Sequence, residues 1–153
     1  MKNLKLLCLF TLIFALNTNA HAGTYRVDDS ATIVTDSQVK MRWRSAGANR
    51  VNGNIVDGST FVNIRLNTSP WLNKTGQIYM VLPAQPIGQV VVDWKTQGKL
   101  LPGTLVSGNR TLVYAGAIQN NIIEDTFYIQ VHSDGTRLND MQRLEFYFEI
   151  DIN

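Results

Sequence analysis

Alternation of apolar and polar residues with a period of two is the feature of this sequence that most constrains its fold. It is strongest in the last run, where every second side chain from Leu144 to Ile152 is apolar. Similar runs begin at Val39, Val62, Ile78, Val90 and Phe127. A period of two places alternate side chains on opposite faces of a strand, so these runs predict half-buried antiparallel strands. The apolar residues in them are largely β-branched or aromatic, as strands favour.

Turn-forming residues separate the runs. Asp57-Gly58 and Ser107-Gly108 are typical of tight turns between strands. No stretch of eleven or more residues combines helical spacing with a polar face. Seven or so short strands therefore predict an all-β protein, specifically an immunoglobulin-like antiparallel β-sandwich, with a β-barrel as the alternative.

The first 22 residues have the three parts of an export signal. Lys2 and Lys5 form a positive start, residues 6–16 are almost purely apolar, and small residues precede Gly23. The apolar run is too short to cross a bilayer, which takes about 20 residues. We therefore predict cleavage before Gly23, leaving 131 of the 153 residues as one exported domain.

Charge and cysteine content limit the possible partners. Removing Lys2 and Lys5 from the 14 basic residues leaves 12, which balance the 12 acidic ones. A neutral domain lacks the basic surface that nucleic-acid binding needs, so we expect no nucleic-acid partner and no direct membrane insertion. The one cysteine, Cys8, lies in the predicted signal, so the exported domain has no disulfide.

Residues that carry catalysis are scarce after the predicted signal. His132 is the single histidine there, and no serine has the Gly-x-Ser-x-Gly pattern of a nucleophile elbow. A zinc site of His and Cys ligands cannot be assembled from one histidine and no cysteine. We therefore predict no enzyme activity, no metal and no cofactor, and we place His132 at the solvent-facing end of a strand.

The three tryptophans have different expected roles. Trp43 and Trp94 share the phase of their apolar neighbours, which predicts core positions. Trp71 follows Ser69-Pro70 in a predicted loop. Its indole is therefore the one expected to be exposed and to offer a possible ligand contact, such as a platform for a sugar ring.

The two ends of the predicted domain carry a family resemblance. Residues 23–35 alternate weakly, ahead of the fuller run of 39–44, and the domain ends on its best strand, residues 144–152. An exported, cysteine-free β domain of this kind resembles a pilus (fimbrial) subunit of the Gram-negative chaperone–usher pathway. The resemblance implies an incomplete sandwich with a groove beside its last strand. A periplasmic chaperone would fill that groove first, and the N-terminal arm of the next subunit would fill it in the fibre.

The resemblance also implies a division of the chain and a set of site residues. The segments would be a signal peptide (1–22), a donor-strand arm (23–35) and an immunoglobulin-like pilin domain (36–153). The arm would insert Tyr25, Val27, Ala31 and Ile33. The groove, and the strand that a chaperone contacts, would be edged by Phe146, Phe148, Ile150 and Ile152.

The expected function is that of a structural or minor subunit of a surface fimbria that supports adhesion. Its implied partners are neighbouring subunits, the periplasmic chaperone, the outer-membrane usher and a host receptor, and its implied locations are the periplasm and then the cell surface. The alternative is a self-contained secreted module that binds glycans or proteins, including a tip adhesin, with residues 23–35 as the first strand of a complete sandwich. A complete module would be a stable monomer, whereas an open edge and exposed core would cause aggregation or require a chaperone.

Overall fold

The computed structural model describes residues 23–36, 39–44, 54–86, 88–137 and 145–152. The strands in these ranges are β1 (Gly23–Arg26), β2 (Ile33–Val34), β3 (Arg42–Trp43), β4 (Ile55–Asn67), β5 (Thr75–Leu82), β6 (Val90–Thr96), β7 (Gly103–Val106), β8 (Asn109–Ala117), β9 (Ile122–Asp134) and β10 (Tyr147–Ile152). Short 3-10 turns occur at Ser69–Trp71 and Gly135–Arg137. The predicted signal, residues 1–22, lies outside the described residues.

The strands form two sheets. Sheet 1 has the order β1-β10-β5-β8, and sheet 2 has the order β2-β4-β9-β6-β7, with β3 also paired to β4. All pairings of the described strands are antiparallel. The longest runs from Ile55↔Asp134 to Asn67↔Ile122, so β4 and β9 form the spine of sheet 2.

The core lies between the two sheets and follows the period-two pattern. Sheet 1 contributes buried Ile78, Met80, Leu82, Val113, Phe148, Ile150 and Ile152. Sheet 2 contributes buried Val62, Ile64, Leu66, Val90, Val92, Trp94, Phe127 and Ile129. Removing these side chains from water supplies the main driving force for bringing the sheets together. The prediction of an all-β antiparallel sandwich is confirmed.

The turn predicted at Asp57-Gly58 is wrong. Asp57-Gly58 lies inside β4, paired with β9, because Gly58 is needed there for space rather than for a turn. A Cβ atom on Gly58 would collide with the side chains of Val39 and Met41, which pack over it. Ser107-Gly108 does form the turn between β7 and β8, where Gly108 has a φ of +88°, a left-handed conformation that glycine adopts without strain.

Of the two tryptophans predicted to lie in the core, one does. Trp94 is buried, and its ring stacks on Phe127 with the ring centroids 5.9 Å apart. Trp43 is 54% exposed, so its predicted core position is wrong. The reason is that only two residues of that alternating run, Arg42–Trp43, pair as a strand. They pair at the start of β4, where Trp43 lies opposite Val56, a residue outside the main core cluster.

The loop after β6 is held by a carboxylate from β9. Asp125 is buried, and it accepts hydrogen bonds from the backbone amides of Gln97, Gly98 and Leu100 at 2.8–3.1 Å. A buried carboxylate is tolerated when several donors surround it. Gly98 fits this arrangement because a Cβ atom there would lie only 2.9 Å from the Asp125 carboxyl carbon.

Candidate functional site: the edge of β10

The strand β10 lies between β5 and a short N-terminal strand. On one edge Tyr147–Ile152 pairs with β5, and on the other edge Gly23–Arg26 pairs with it, from Gly23↔Ile152 to Arg26↔Glu149. The amide of Val27 continues this ladder by donating to the carbonyl oxygen of Phe148 at 2.9 Å. Residues 23–27 therefore close an edge that would otherwise present unpaired backbone groups.

The side chains predicted to edge a groove face the core of this chain. Phe148 and Ile150 are fully buried and Ile152 nearly so, while Phe146 is half-buried ahead of β10 and meets the Phe148 ring edge-on at 6.0 Å. Their burial follows the alternation of β10, with every second residue inward. The apolar face that a partner strand would cover is thus continuous with the sandwich core.

Of the four predicted arm residues, Val27 makes the deepest contact. It is fully buried, whereas Tyr25 is 46% exposed and rests against the indole of Trp71 with the ring centroids 6.1 Å apart. Tyr25 pairs with Ile150, so both arm residues lie on the inner face of sheet 1. Burying a valine side chain contributes on the order of 1.5–3 kcal/mol, which makes Val27 the main apolar anchor of the segment.

Polar contacts fix the outer face of the same segment. The hydroxyl of Thr24 donates to a carboxylate oxygen of Asp151 at 2.6 Å, and Arg110 on β8 reaches the other oxygen at 3.0 Å. The Thr24 hydroxyl, and then the Arg110 guanidinium, hold the pKa of Asp151 below its ordinary value. The guanidinium of Arg26 lies 4.0 Å above the ring centre of Tyr147. Each of these surface contacts is weak, but together they favour a single register of β1 on β10.

Beyond Val27 the chain crosses from sheet 1 to sheet 2. Asp28 forms a bridge to Asn67, a turn follows, and Ile33–Val34 then pairs with β4. Ala31 is exposed in the turn, and Ile33 is 62% exposed on the outer face. The four predicted arm residues are therefore not brought together: Tyr25 and Val27 contact β10, and the other two do not. A single chain has no neighbour to exchange with, so strand exchange stays a prediction.

The expected exposure of Trp71 is wrong. The 3-10 turn that begins at Ser69 directs the indole inward, where it is only 8% exposed and contacts Tyr25. Pro70 suits the first turn of such a helix because its fixed φ and missing amide proton cost nothing there. The side chain supports the N-terminal segment and has little surface left for a ligand.

A second polar cluster, which the sequence did not reveal, lies on the outer face of sheet 2. Arg44 holds Asp57 through two hydrogen bonds of 2.7 and 2.8 Å. His132 places its Nδ1 atom 2.6 Å from an Asp57 oxygen and its Nε2 atom 3.0 Å from Asp93. The Arg44 hydrogen bonds, followed by that of His132, lower the pKa of Asp57 to about 2. The cluster ties β4, β9 and β6 together across their outer faces.

The position of His132 is more constrained than the sequence suggested. It lies on the outer face of β9 as expected, but its imidazole is held between two carboxylates and only 23% of the side chain is exposed. Alternation along each strand predicts that Asp57, Asp93 and His132 point outward. Their meeting depends on the register of β4 and β6 against β9, which no local pattern encodes.

Comparisons of the chain with protein-family models, with curated proteins and with solved structures gave no significant match. Among the residues that the structure describes, no helix has the length and apolar character required to cross a bilayer. The same residues contain no group of three or more His, Cys, Asp or Glu side chains arranged so that it could hold a metal ion.

Proposed function

We propose that this chain is a subunit of a surface fibre in which neighbouring subunits exchange their N-terminal strands. The observation that carries the proposal is the edge of β10, which, among the residues that the structure describes, is closed by residues 23–27 alone. These residues belong to the segment for which the sequence predicts the donor arm.

The strand order supports this assignment. An immunoglobulin sandwich has sheets of the order A-B-E-D and C-F-G. Here β2-β4-β9-β6 corresponds to A-B-E-D, and the neighbours β5 and β10 correspond to C and F. The G position beside β10 is occupied by β1, a piece of the first strand rather than a strand that follows β10. Because β1 is a short segment that fills the G position from the other end of the sequence, the same segment of another chain could take its place.

The contacts of β1 are also transferable between chains. Thr24 with Asp151, Val27 with Phe148 and the backbone ladder join residues 23–27 to β10, and Tyr25 rests on Trp71 of the same subunit body. An identical segment from a neighbour would reproduce each of them, which is the principle of domain swapping. Adding a strand to an exposed sheet edge supplies main-chain hydrogen bonds, and a buried side chain such as Val27 supplies specificity.

The remaining parts of the proposal follow from the family resemblance. A signal peptide of residues 1–22 would direct the chain to the periplasm, where a chaperone would protect the β10 edge and an usher would pass the subunit to the cell surface. The fibre would contain neighbouring subunits of the same type of fold and would support adhesion. The pilin domain, residues 36–153, would provide the groove and the arm, residues 23–35, the donor strand.

A pair of cysteines across β1 and β10 tests exchange directly. The Val27–Phe148 hydrogen bond marks that position as a hydrogen-bonded pair, so by alternation Thr24 and Asp151 form a non-hydrogen-bonded pair. Their Cα atoms should be about 4.5 Å apart, within the range that a disulfide accepts. Thr24→Cys with Asp151→Cys, in a Cys8→Ser background, therefore forms a bond within one chain when closed and between chains when exchanged.

The purified double variant would be opened with mild denaturant at high concentration, returned to native buffer, oxidised and run on a non-reducing gel. We expect a ladder of covalent multimers. Thr24→Cys alone serves as the control, because a single cysteine cannot link more than two chains. The double variant should stay monomeric if it is oxidised before it is opened, because the bond then forms within each closed chain. If the double variant gives only the internally bonded monomer under every opening condition, the chain is a complete, self-contained sandwich.

A further inference from the structure

An open groove of about 560 Å³ lies on the outer face of sheet 2, on the opposite side of the molecule's core from the β10 edge. Ser59 on β4 and Gln130 on β9, which pair directly with each other, form part of its lining. Lys40 and Arg42 line it from the segment that leads into β3, and His132 lines it beside Asp57. The groove therefore combines hydroxyl and amide groups with two cationic side chains.

The guanidinium of Arg42 and the ammonium of Lys40 are not paired with the nearest carboxylate of the groove, that of Asp57. Arg42 pairs across the strands with Asp57, but Asp57 is already bound by two nitrogens of Arg44 and by His132. No carboxylate among the described residues forms an ion pair with Arg42 or Lys40. Among the lining residues that the structure describes, the acidic Asp36 and Asp57 equal Lys40 and Arg42 in number. Just beyond the lining, Arg44 on Asp57 is balanced by Asp93 on His132, so the groove offers a ligand two cationic groups that are not ion-paired but has no net charge.

An aromatic pair continues the same face of the sheet. Phe61 and Tyr128 are the next outward pair after Ser59 and Gln130, and their ring centroids are 5.1 Å apart. Phe61 is 44% exposed. Successive outward residues on a strand are roughly 6.8 Å apart, so the aromatic surface begins where the polar lining ends. Binding sites for small polar ligands commonly combine an aromatic surface with a few placed polar groups.

We propose that this groove binds a carboxylate-bearing saccharide. Arg42 and Lys40 would bind the carboxylate, Ser59 and Gln130 would exchange hydrogen bonds with ring hydroxyls, and Phe61 would contact the apolar face of a neighbouring sugar. An acidic peptide fits less well, because peptides generally bind to an open sheet edge or an apolar groove. Here β4 is paired with β9 along its whole length, and on its other side with β3 at Val56 and Asp57 and with β2 at Val62 and Asn63. The stretch between β3 and β2 is too short for a peptide strand to pair along it. The inference does not depend on strand exchange, which concerns the other sheet.

Calorimetric titration of the full chain tests the proposal, with 3′-sialyllactose and a hyaluronan tetrasaccharide as probes. Lactose serves as the neutral saccharide and a glutamate-rich hexapeptide as the acidic peptide. We expect at least one acidic saccharide to bind, and lactose and the peptide to bind at least tenfold more weakly. Arg42→Gln should weaken binding of the acidic saccharide by about tenfold or more, since hydrogen bonds between charged groups are the strong ones. Phe61→Ala should weaken it severalfold.

Arg65→Gln is the matched control, because it removes the same charge from the same outer face of sheet 2. Arg65 pairs with Glu124 in an exposed position well along β4 from the groove. It should change the affinity by less than twofold. The proposal is overturned if neither acidic saccharide binds at millimolar concentration, if the peptide or lactose binds as tightly, or if Arg42→Gln and Arg65→Gln have the same effect. Thermal melts of each variant verify that the fold is retained.

Discussion

The anchoring of the N-terminal segment in the core can be measured with one substitution made at two positions. Val27 is fully buried, whereas Val34 in β2 is 44% exposed. Changing either residue to alanine removes two methyl groups. Each buried group of this size is worth about 0.8 kcal/mol, and the cavity that remains adds to the loss. Val27→Ala is therefore expected to lower the free energy of unfolding by about 2–3 kcal/mol, and Val34→Ala by less than about 0.5 kcal/mol.

Urea denaturation followed by tryptophan fluorescence provides the measurement. The midpoint should fall clearly for Val27→Ala and hardly move for Val34→Ala, with the slope of free energy against urea unchanged in both. Thermal melts should agree, since a loss of 1 kcal/mol lowers the Tm of a domain of this size by about 3–6 °C. The same pair of variants should both remain folded, because the expected loss is smaller than the stability of a typical domain.

Equal losses at the two positions would refute this reasoning. They would mean that residue 27 is not packed beneath Phe148 and that the β10 edge is open in the isolated chain. A third variant separates stability from assembly. Ile33→Asp changes a side chain that is 62% exposed, so we expect it to alter the stability of the closed chain by less than about 0.5 kcal/mol. Loss of fibre incorporation without loss of stability would assign Ile33 a role between subunits.

Three further predictions concern the rest of the sandwich. The pKa of Asp57 is lowered to about 2, so this carboxylate stabilises the fold at pH values above its ordinary pKa of 3.8 and loses the effect as the pH falls toward 2. In urea melts, Asp57→Asn should remove this pH dependence of stability between about pH 4 and 2. It should cost about 1 kcal/mol at neutral pH, a small loss because its partner Arg44 is exposed. Asp125→Ala should cost about 3 kcal/mol and speed amide hydrogen exchange at residues 97–100, since three loop amides lose their acceptor. Acrylamide should quench the fluorescence of Trp43 strongly and that of Trp94 weakly, as measured in variants that each retain one tryptophan.

Much of the fold follows from local pattern. The runs that became β4, β5, β6, β9 and β10 alternate because one face of each is buried, and such burial is recorded directly in the sequence. The sequence pattern gives a wrong prediction where a glycine is required because there is no room for a side chain. Asp57-Gly58 has the composition of a turn, yet it lies in β4 because Val39 and Met41 occupy the volume that a Cβ atom on Gly58 would need.

The sites were harder to predict because they depend on register between distant segments. Residues 57 and 132 are brought together by the pairing of β4 with β9, and 93 joins them through β6. Alternation predicts which face a side chain occupies but not which residue lies opposite. The prediction that Trp71 is exposed is wrong for a related reason. The 3-10 turn is a local feature, but the indole is covered by Tyr25, which comes from a distant part of the chain.

The closed form of the chain has a consequence for how a fibre could form. Exchange would replace the contacts of residues 23–27 on their own β10 with the same contacts on the β10 of a neighbour. The closed and exchanged forms would therefore contain the same contacts and differ in whether these join one chain or two. A short tether gives the chain's own segment an effective concentration on the order of millimolar. At micromolar subunit concentration, a neighbour's segment is then disfavoured by about 4 kcal/mol. Spontaneous exchange between closed chains would therefore be rare. Assembly would require the β10 edge to be open while neighbours are near, either because a protein occupies the edge first or because the chains are opened with denaturant at high concentration. A periplasmic chaperone that binds the newly exported chain would meet this requirement, which is why we expect closed, purified subunits to polymerise only after they have been opened.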